Sequence, residues 1–312
     1  MNILNVKNLK VYFSRRKRLI KAVDGINFFI KQGETLGLAG ESGSGKTVTA
    51  LSLTKLISGA NLVSGEVIFK QRDIFKTTSK QLQELRGKEV AYIFQNPSSS
   101  LNPVFTIGSQ MTEIIKLHQK KSRKEAELDA LEMLGKVGIP DQEKNFKSYP
   151  HQLSGGMNQR VMIAMALSCC PSLLIADEPT TNLDLTTQAQ ILALLQKVKQ
   201  EQNLSVLFIT HNLEILKHLV DRLAIMYAAR IVEVGKNLFE RPLHPYTQAL
   251  LSAQPGFDGK AQILKGEVPS PFDFPSGCRF HPRCRLKKTI CEKEEPPMRE
   301  KEEGHFVACH IT

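Results

Sequence analysis

The segment from Gly40 to Thr47, which reads Gly-Glu-Ser-Gly-Ser-Gly-Lys-Thr, constrains the fold of this chain more than any other. A short apolar run, 35–39, precedes it, and residues 48–56, which have helical character, follow it. Glycines let successive backbone N–H groups curl toward an anion, and the start of a helix adds a positive end. A strand, this spacing and a helix in succession predict a phosphate-binding loop rather than an ordinary glycine-rich turn.

Two side chains at the end of this loop indicate its ligand chemistry. Lys46 would neutralise charge on the β- and γ-phosphates of a nucleotide, and the Thr47 hydroxyl would ligate Mg²⁺. The loop residues that we expect to bind ATP are Gly40, Ser42, Gly43, Ser44, Gly45, Lys46 and Thr47.

A second segment ends on two adjacent carboxylates. The apolar run 172–176 stops at Asp177 and Glu178, as expected of a buried parallel strand whose carboxyl end meets a ligand. Asp177 would hold the magnesium ion, and Glu178 would polarise the attacking water. Standing alone, this segment would be only a strand end, but together with the loop it predicts phosphoryl transfer to water.

A third segment, residues 153–157, reads Leu-Ser-Gly-Gly-Met and opens a strongly apolar helix. A serine followed by glycines at this point is typical of an anion-binding helix start. The segment resembles the signature of ATP-binding cassette (ABC) ATPases. Two cassettes of that family close head to tail, so the resemblance implies that Ser154, Gly155 and Gly156 contact ATP held by the loop of a partner cassette.

Three more residues match this family in order along the chain. Gln95, after Tyr92-Ile-Phe, resembles the residue that senses Mg²⁺ and nucleotide and signals to the transport partner. His211, after Phe208-Ile-Thr, resembles the histidine that contacts the γ-phosphate, and Asp184 resembles the loop that crosses the dimer interface. The resemblance implies that Glu178, His211 and Gln95 are catalytic, and that Thr47, Gln95 and Asp177 bind Mg²⁺.

Adenine in such cassettes stacks on an aromatic residue before the phosphate loop. Phe13 and Tyr12 are adjacent in a predicted strand, so their side chains face opposite ways and one of them is expected to be core. We favour Phe13 as the stacking residue, with Tyr12 as the alternative.

The resemblance implies an α/β fold, an ABC-type P-loop nucleotide-binding domain. We place this ATPase domain at residues 1–235, with a helical subdomain at about 96–168, and a Pro- and Cys-rich C-terminal extension at 236–312. Residues 112–137 read as helical, with ordinary amphipathic packing at Leu128, Leu131 and Leu134.

Composition agrees with a cytoplasmic protein. The start of the sequence has no secretory hydrophobic region, and the longest apolar stretch, near 161–170, is too short to span a bilayer. The formal net charge is +11, but no nucleic-acid motif accompanies it, so nucleic acid is not an expected partner. ATP and a nearby membrane surface account for the charge.

The extension resembles the C-terminal region of ATPases that serve dipeptide, oligopeptide and nickel importers. The stretches that carry this resemblance begin at Arg241, Gly266 and Gly277. Thr180-Thr181 and residues 188–192 look like the first of the two ATPase types in such importers, which favours a heterodimer with a second ABC ATPase subunit. Two transmembrane permease subunits and, indirectly, an extracytoplasmic substrate-binding protein are the other implied partners.

Four cysteines in this extension indicate a metal centre. They are Cys278, Cys284, Cys291 and Cys309. Disulfides are disfavoured in a cytoplasmic tail, whereas four thiolates suit a [4Fe–4S] cluster or tetrahedral zinc. The spacing lacks the paired Cys-x₂-Cys of structural zinc and the resemblance favours iron–sulfur; four free buried cysteines are the remaining alternative.

The sequence therefore predicts a peripheral ATPase at the cytoplasmic face of the cell membrane that powers peptide import. A nickel or metal-chelate importer is the first alternative. A soluble ABC protein that acts on nucleic acid or ribosomes is the second, and it would require a tandem cassette or a long coiled-coil insertion, neither of which the sequence has.

Overall fold

The structure is a computed structural model that describes residues 1–15, 18–181, 183–254 and 264–312. Contacts between residues divide the chain into two compact units. The first, named the outer unit because it holds the two ends of the sequence, combines Met1–Lys76 with Phe208–Thr312. The second, named the inner unit because it comes between them in sequence, is Thr77–Leu207. The C-terminal extension thus shares a compact unit with the phosphate loop.

The first part of the outer unit contains an antiparallel sheet, the phosphate loop and the helix that follows the loop. Its elements are β1 (Asn2–Arg15), β2 (Arg18–Lys31), β3 (Thr35–Ala39), α1 (Lys46–Ser52), β4 (Leu62–Phe69), β5 (Arg72–Asp73) and a 3-10 turn at Ile74–Lys76. The antiparallel sheet has the order β2-β1-β4-β5, and its register pairs Val11 with Val23 and Val6 with Val67. These valines are buried, so cross-strand contacts between β-branched side chains hold the sheet.

The inner unit contains most of the helices. Its elements are α2 (Ser79–Leu85), β6 (Val90–Ile93), α3 (Pro97–Ser100), α4 (Ile107–Gln119), α5 (Arg123–Lys136), α6 (Gln142–Phe146), a 3-10 turn at Pro150–Gln152, α7 (Gly155–Leu167), β7 (Leu173–Asp177), α8 (Leu185–Gln202) and the start of β8 (Ser205–Thr210). Strands β6 and β7 pair in parallel, with Val90 opposite Leu173. Every residue of β7 is buried, as expected for a parallel strand covered on both faces.

The helical stretch predicted at 112–137 is two helices. Lys120 adopts a left-handed conformation, φ 56°, and ends α4. Ser122 then starts α5 with a capping box to Glu125. The predicted leucine stripe is wrong in part: Leu134 is buried, but Leu128 is 60% exposed. The buried face of α5 is formed by Ala126 and Ala130 together with Leu134, and the small alanines allow α4 and α5 to pack closely.

The rest of the outer unit adds strands to β3 and contains the extension. Its elements are α9 (Leu213–Lys217), β9 (Arg222–Tyr227), β10 (Arg230–Gly235), α10 (Pro245–Ser252), a 3-10 turn at His281–Arg283, α11 (Thr289–Lys293), β11 (Arg299–Glu302) and β12 (His305–Val307). Strand β3 pairs in parallel with β9, and the order continues β9-β10-β12-β11. The end of the extension therefore forms the edge of the same sheet. The boundary predicted between 235 and 236 stays a prediction.

A buried carboxylate connects β10 to the extension. Glu233 has no exposed surface, and its side chain accepts hydrogen bonds from the backbone N–H groups of Leu243, at 2.7 Å, and His244, at 3.1 Å. His305 Nε2 of β12 lies 2.8 Å from the same carboxylate. Three partners from two parts of the extension thus compensate for the burial of one polar side chain.

His244 provides a pH-dependent element of stability. Its ring is buried, and Nδ1 accepts a hydrogen bond from the backbone N–H of Tyr246 at 3.0 Å, which caps α10. Burial lowers the pKa of His244 to about 3, so the ring is neutral in the folded protein at neutral pH. In the unfolded chain its pKa is about 6.5, so unfolding takes up a proton once the pH falls below that value.

We therefore expect His244 to lower the free energy of unfolding by about 2 kcal/mol between pH 7 and pH 5. The loss grows as the pH approaches the pKa of His244 in the folded protein. His244→Asn, which retains a capping side chain, removes that dependence, although it is less stable at pH 7. Urea unfolding of both proteins at pH 7, 6 and 5 measures the difference. Equal losses of unfolding free energy on acidification would contradict the assignment.

Candidate nucleotide site

The phosphate loop in the outer unit requires its glycines. A Cβ at Gly40 would lie 2.1 Å from the carbonyl oxygen of Met226, and one at Gly45 would lie 2.2 Å from that of Ala22. Gly43 has open space around it, but its φ of 78° is one that other residues rarely adopt. Two of the predicted glycines are thus set by close backbone approach and the third by conformation.

The interior of the loop contains a cation and an unpaired hydroxyl. Lys46 is 6% exposed, and its Nζ donates to the carbonyl oxygens of Gly40, at 2.8 Å, and Glu41, at 3.0 Å. Ser44 Oγ is buried and has no hydrogen-bond partner within the described part of the chain. Ser42 and Thr47 are exposed at the rim. An anion with several oxygens fits this loop, because its interior contains a buried ammonium group and a buried serine hydroxyl.

The predicted carboxylates of the inner unit lie at the end of β7. Asp177 is buried, and the Tyr92 hydroxyl donates to its Oδ2 at 3.3 Å. Burial and the adjacent Asp177 raise the pKa of Tyr92, which keeps the phenol protonated and able to donate. Glu178 has a left-handed backbone, φ 48°, an unusual conformation that is frequent at functional sites. This turn directs the chain away from the strand directly after the two carboxylates.

The structure brings Gln95 and Glu178 together. Gln95 Nε2 donates to Glu178 Oε2 at 2.8 Å, and the Thr181 hydroxyl donates to the same oxygen at 3.0 Å. Two donors on one oxygen fix the orientation of the carboxylate. The sequence analysis did not identify Thr181 or Tyr92 as positioning residues. Their places in the sequence could have indicated this role, because Thr181 comes three residues after Glu178 and Tyr92 three residues before Gln95.

The predicted signature and Asp184 lie at neighbouring helix starts. Ser154 caps α7 by accepting a hydrogen bond from the N–H of Met157 at 3.2 Å, and Asp184 caps α8 by accepting one from Thr187 at 2.9 Å. A Cβ at Gly156 would lie 2.8 Å from Thr187 Cγ2, so the two helix starts are in contact. The N–H of Thr187 lowers the pKa of Asp184, which keeps it ionised. Ser154, Gly155 and Asp184 are exposed and accessible to a partner.

The remaining predicted nucleotide residues lie in the outer unit. His211 is exposed directly after β8. Phe13 is half-buried on β1, opposite Ile20. Tyr12 donates its hydroxyl to the carboxylate of Asp24, and burial, with that hydrogen bond, raises the pKa of Tyr12 to about 12. Tyr12 is thus held by a core partner, and stacking of adenine on Phe13 stays a prediction.

The four cysteines of the extension are close to one another but do not form the predicted metal site. Burial raises the pKa of the Cys278 thiol to about 11, and the nearby Cys291, Cys309 and Cys284 raise it too. Across the residues that the structure describes, no three His, Cys, Asp or Glu side chains are placed to hold a metal ion. The Sγ atoms of Cys291 and Cys309 accept backbone N–H groups instead, those of Lys288 and Ile311.

Comparisons with known proteins agree with this geometry. Residues 23–181 match the ABC transporter family, and residues 232–291 match the oligopeptide/dipeptide transporter C-terminal region. The oligopeptide transport ATP-binding protein AppD of Bacillus subtilis is 47% identical over 99% of this chain and 96% of its own length. The dipeptide transport ATP-binding protein DppD of Escherichia coli is 45% identical over 99% of this chain and 97% of its own length.

The chain belongs to the ABC transporter family. Among solved structures it resembles the dimeric ATP-binding cassette MJ0796 in a post-hydrolysis state bound to ADP and Pi, with a TM-score of 0.68, 27% identity, and coverage of 75% of this chain and 98% of that one. The cbiO1 protein of Clostridium perfringens, part of an ABC transporter complex, has a TM-score of 0.64, 26% identity, and coverage of 76% and 89%.

This membership makes the chain a transporter ATPase, and ATP with Mg²⁺ fits its phosphate loop. The α/β cassette fold predicted from the motifs is confirmed. None of the helices in the described residues is long and apolar enough to cross a membrane.

The role of Glu178 leads to a direct test. Glu178→Gln replaces the carboxylate that is predicted to orient the attacking water by an amide of the same size. We expect ATP affinity within about threefold of wild type and a hydrolysis rate at least about 100-fold lower. Phosphate release and binding of a fluorescent ATP analogue measure the two effects.

Glu201→Gln, an exposed change on α8, is the matched control and leaves both quantities unchanged. Size-exclusion chromatography with ATP adds a third readout, because a hydrolysis-deficient cassette is expected to accumulate as an ATP-bound dimer. Hydrolysis at the wild-type rate in Glu178→Gln would refute the assignment.

Proposed function

We propose that this chain hydrolyses ATP to power the import of peptides through partner transmembrane subunits. The match of residues 232–291 to the oligopeptide/dipeptide transporter C-terminal region carries the proposal, because it distinguishes this branch from other cassettes. Relatives named as oligopeptide and dipeptide transport ATP-binding proteins span nearly the whole chain. The chain would act at the cytoplasmic face of the membrane, attached through its partners.

The residues of the site have separate roles in hydrolysis. Lys46 neutralises phosphate charge, and Ser44 Oγ donates to a phosphate oxygen. Glu178 orients the attacking water, and Gln95 and Thr181 hold its carboxylate at 2.8 and 3.0 Å. Because phosphoryl transfer depends on positioning and charge stabilisation, this division of roles is sufficient without a covalent intermediate.

Magnesium would be held by oxygen atoms from Thr47, Gln95 and Asp177. A hydroxyl, an amide oxygen and a carboxylate form the hard-ligand set that Mg²⁺ prefers, and the buried Asp177 is kept in place by Tyr92. The ion would supply charge neutralisation between the β- and γ-phosphates. His211 would contact the γ-phosphate and Phe13 the adenine.

A second ABC ATPase subunit would complete each site. Ser154, Gly155 and Asp184 are exposed at adjoining helix starts, where the ATP of a partner cassette can reach them. Thr180-Thr181 and residues 188–192 resemble the first ATPase type of such importers, so the partner would be a different chain and the assembly a heterodimer.

A surface of the inner unit is suited to a transmembrane subunit. Val104 is 71% exposed and Phe105 is 53% exposed, shortly after Gln95 in the chain. Adjacent apolar side chains that are more than half exposed to solvent are typical of a protein interface. Two permease subunits would contact this part of the chain and its counterpart, and an extracytoplasmic substrate-binding protein would deliver the peptide to them.

Uptake by cells with the native transporter tests the function. We expect Glu178→Gln to abolish uptake of labelled di- and oligopeptides and to leave uptake of labelled nickel unchanged. Glu201→Gln, expressed at the same level, retains both activities. Peptide uptake measured at several concentrations separates a lower maximal rate, the expected result, from a change in affinity for the peptide, which other subunits set.

Selective loss of nickel uptake would make the chain the motor of a metal importer instead. Normal uptake of both solutes would overturn the import proposal. Salt-sensitive binding of DNA or RNA with a dissociation constant below about 1 μM would then favour an ABC protein that acts on nucleic acid or ribosomes.

We also propose that the four cysteines of the extension hold a metal centre, a [4Fe–4S] cluster in preference to zinc. The proximity of the four cysteines supports this. The backbone N–H groups directed at Cys291 and Cys309 would remain in place, as hydrogen bonds to sulfur of the kind that tunes iron–sulfur clusters. A small rearrangement of the thiols would be needed, and the centre would hold the extension together.

Anaerobic purification tests this proposal. We expect about four iron and four sulfide per chain, with a brown colour, and loss of both in a Cys278→Ser, Cys284→Ser double variant. Cys170→Ser, an exposed cysteine outside the extension, is the control and retains both. A colourless, iron-free protein with one zinc would establish zinc, and a metal-free protein would leave four free thiols.

A further inference from the structure

An ion pair connects the C-terminal extension to the phosphate loop. Arg283 Nη1 lies 3.0 Å from Glu41 Oε1 and 3.2 Å from Oε2. The arginine side chain is 6% exposed and the glutamate side chain 29% exposed, so the pair is largely shielded from water. Glu41 is the residue directly after Gly40 in the loop, and Arg283 lies 242 residues later in the chain.

A second contact holds the main chain at the same residue. The N–H of Glu41 donates to the Tyr246 hydroxyl at 3.0 Å, and the carbonyl of Glu41 accepts from Lys46 Nζ at 3.0 Å. Tyr246 is fully buried on α10. A residue of the extension thus binds the N–H of Glu41, and the loop lysine binds the carbonyl of the same residue.

A third contact reaches the loop through the turn between β9 and β10. Arg279 Nη1 donates to the carbonyl of Ala228 at 2.6 Å, and the N–H of Ala229 donates to the carbonyl of Ser44 at 3.0 Å. Both alanines adopt left-handed conformations, with φ of 44° and 67°. Since L-residues rarely adopt that geometry, the two hydrogen bonds help to keep the turn against the loop.

The arginines are fixed in place by packing. Phe280, between them in sequence, is 2% exposed, and its ring centroid lies 5.2 Å from Tyr227 and 5.4 Å from Tyr246. An aromatic cluster thus packs around Phe280 of the extension, and the residues beside it in sequence and in space contact the loop.

The charge of Glu41 explains why this contact matters for nucleotide binding. A carboxylate in a loop that binds a triphosphate repels the ligand, and shielding from water strengthens that repulsion. Arg283, charged at all physiological pH values, compensates for it at 3.0 Å.

We propose that residues 279–283 and Tyr246 are positioning elements of the nucleotide site: Arg283 neutralises Glu41, and Tyr246 and Arg279 hold the loop main chain in the geometry that binds ATP. The proposal rests on the assignment of the loop to ATP in the proposed function. It makes the affinity for ATP depend on a segment that is remote from every cassette motif in sequence.

A double-mutant cycle on the full chain tests it, with titration of a fluorescent ATP analogue and Mg²⁺ as the measurement. We expect Arg283→Gln to raise the dissociation constant about tenfold, because Glu41 is then unneutralised. Glu41→Gln stays within about threefold of wild type, and the double variant also returns to within about threefold, since no charge is left to compensate.

Steady-state hydrolysis provides a readout that a loss of folding would not produce. Arg283→Gln raises KM for ATP with kcat nearly unchanged, whereas Tyr246→Phe, which leaves the N–H of Glu41 without its acceptor, raises KM by about three- to tenfold. Lys287→Gln is the matched control, because it breaks an exposed ion pair with Glu292 in the same extension and does not contact the loop. We expect KM and kcat for ATP to be unchanged in this variant.

The outcomes distinguish this proposal from the proposed function. A double variant as weak in ATP binding as Arg283→Gln alone would overturn the neutralisation of Glu41, and so would unchanged affinity in Arg283→Gln. Wild-type protein that binds ATP but supports no uptake of any solute would overturn the transport function alone. A wild-type chain without affinity for ATP would overturn both.

Discussion

The arrangement of the outer unit depends on one buried carboxylate, that of Asp24. Burial opposes its ionisation, but hydrogen bonds from Tyr12 and Arg279 and the charge of Arg230 outweigh burial and lower its pKa. The N–H of Asp24 also donates to the carbonyl of Ala229 at 2.9 Å. Since an unpaired buried charge is very costly, β1, β2, the β9–β10 turn and the extension must all stay in place to compensate for it.

The parts of the site that sequence could predict are those that local spacing determines. The glycines of the phosphate loop, the cap at Ser154 and the carboxylates at the end of β7 each follow from a few consecutive residues. Helix starts and strand ends need only local information, because backbone conformation and the first hydrogen bonds are set within one turn. The α/β cassette fold followed from these motifs in order.

The parts that sequence could not predict are pairs that only the fold brings together. Glu41 and Arg283 are far apart in sequence, and neither stands out among many charged residues. The break at Lys120 was missed because a left-handed lysine carries no clear sequence signal, whereas glycine would have. The positions of the four thiols were missed for a related reason: cysteine spacing gives candidate ligands but not their geometry.

Arg283, which contacts the phosphate loop, and Arg279, which contacts the turn beside the loop, each adjoin a cysteine: Cys278 precedes Arg279, and Cys284 follows Arg283. The N–H of Cys278 donates to the carbonyl of Cys291 at 2.8 Å, so this part of the extension is already ordered by its own main chain. Because a loop whose contacts are ordered before ATP binds loses less entropy on binding, these contacts would favour ATP affinity without touching the nucleotide.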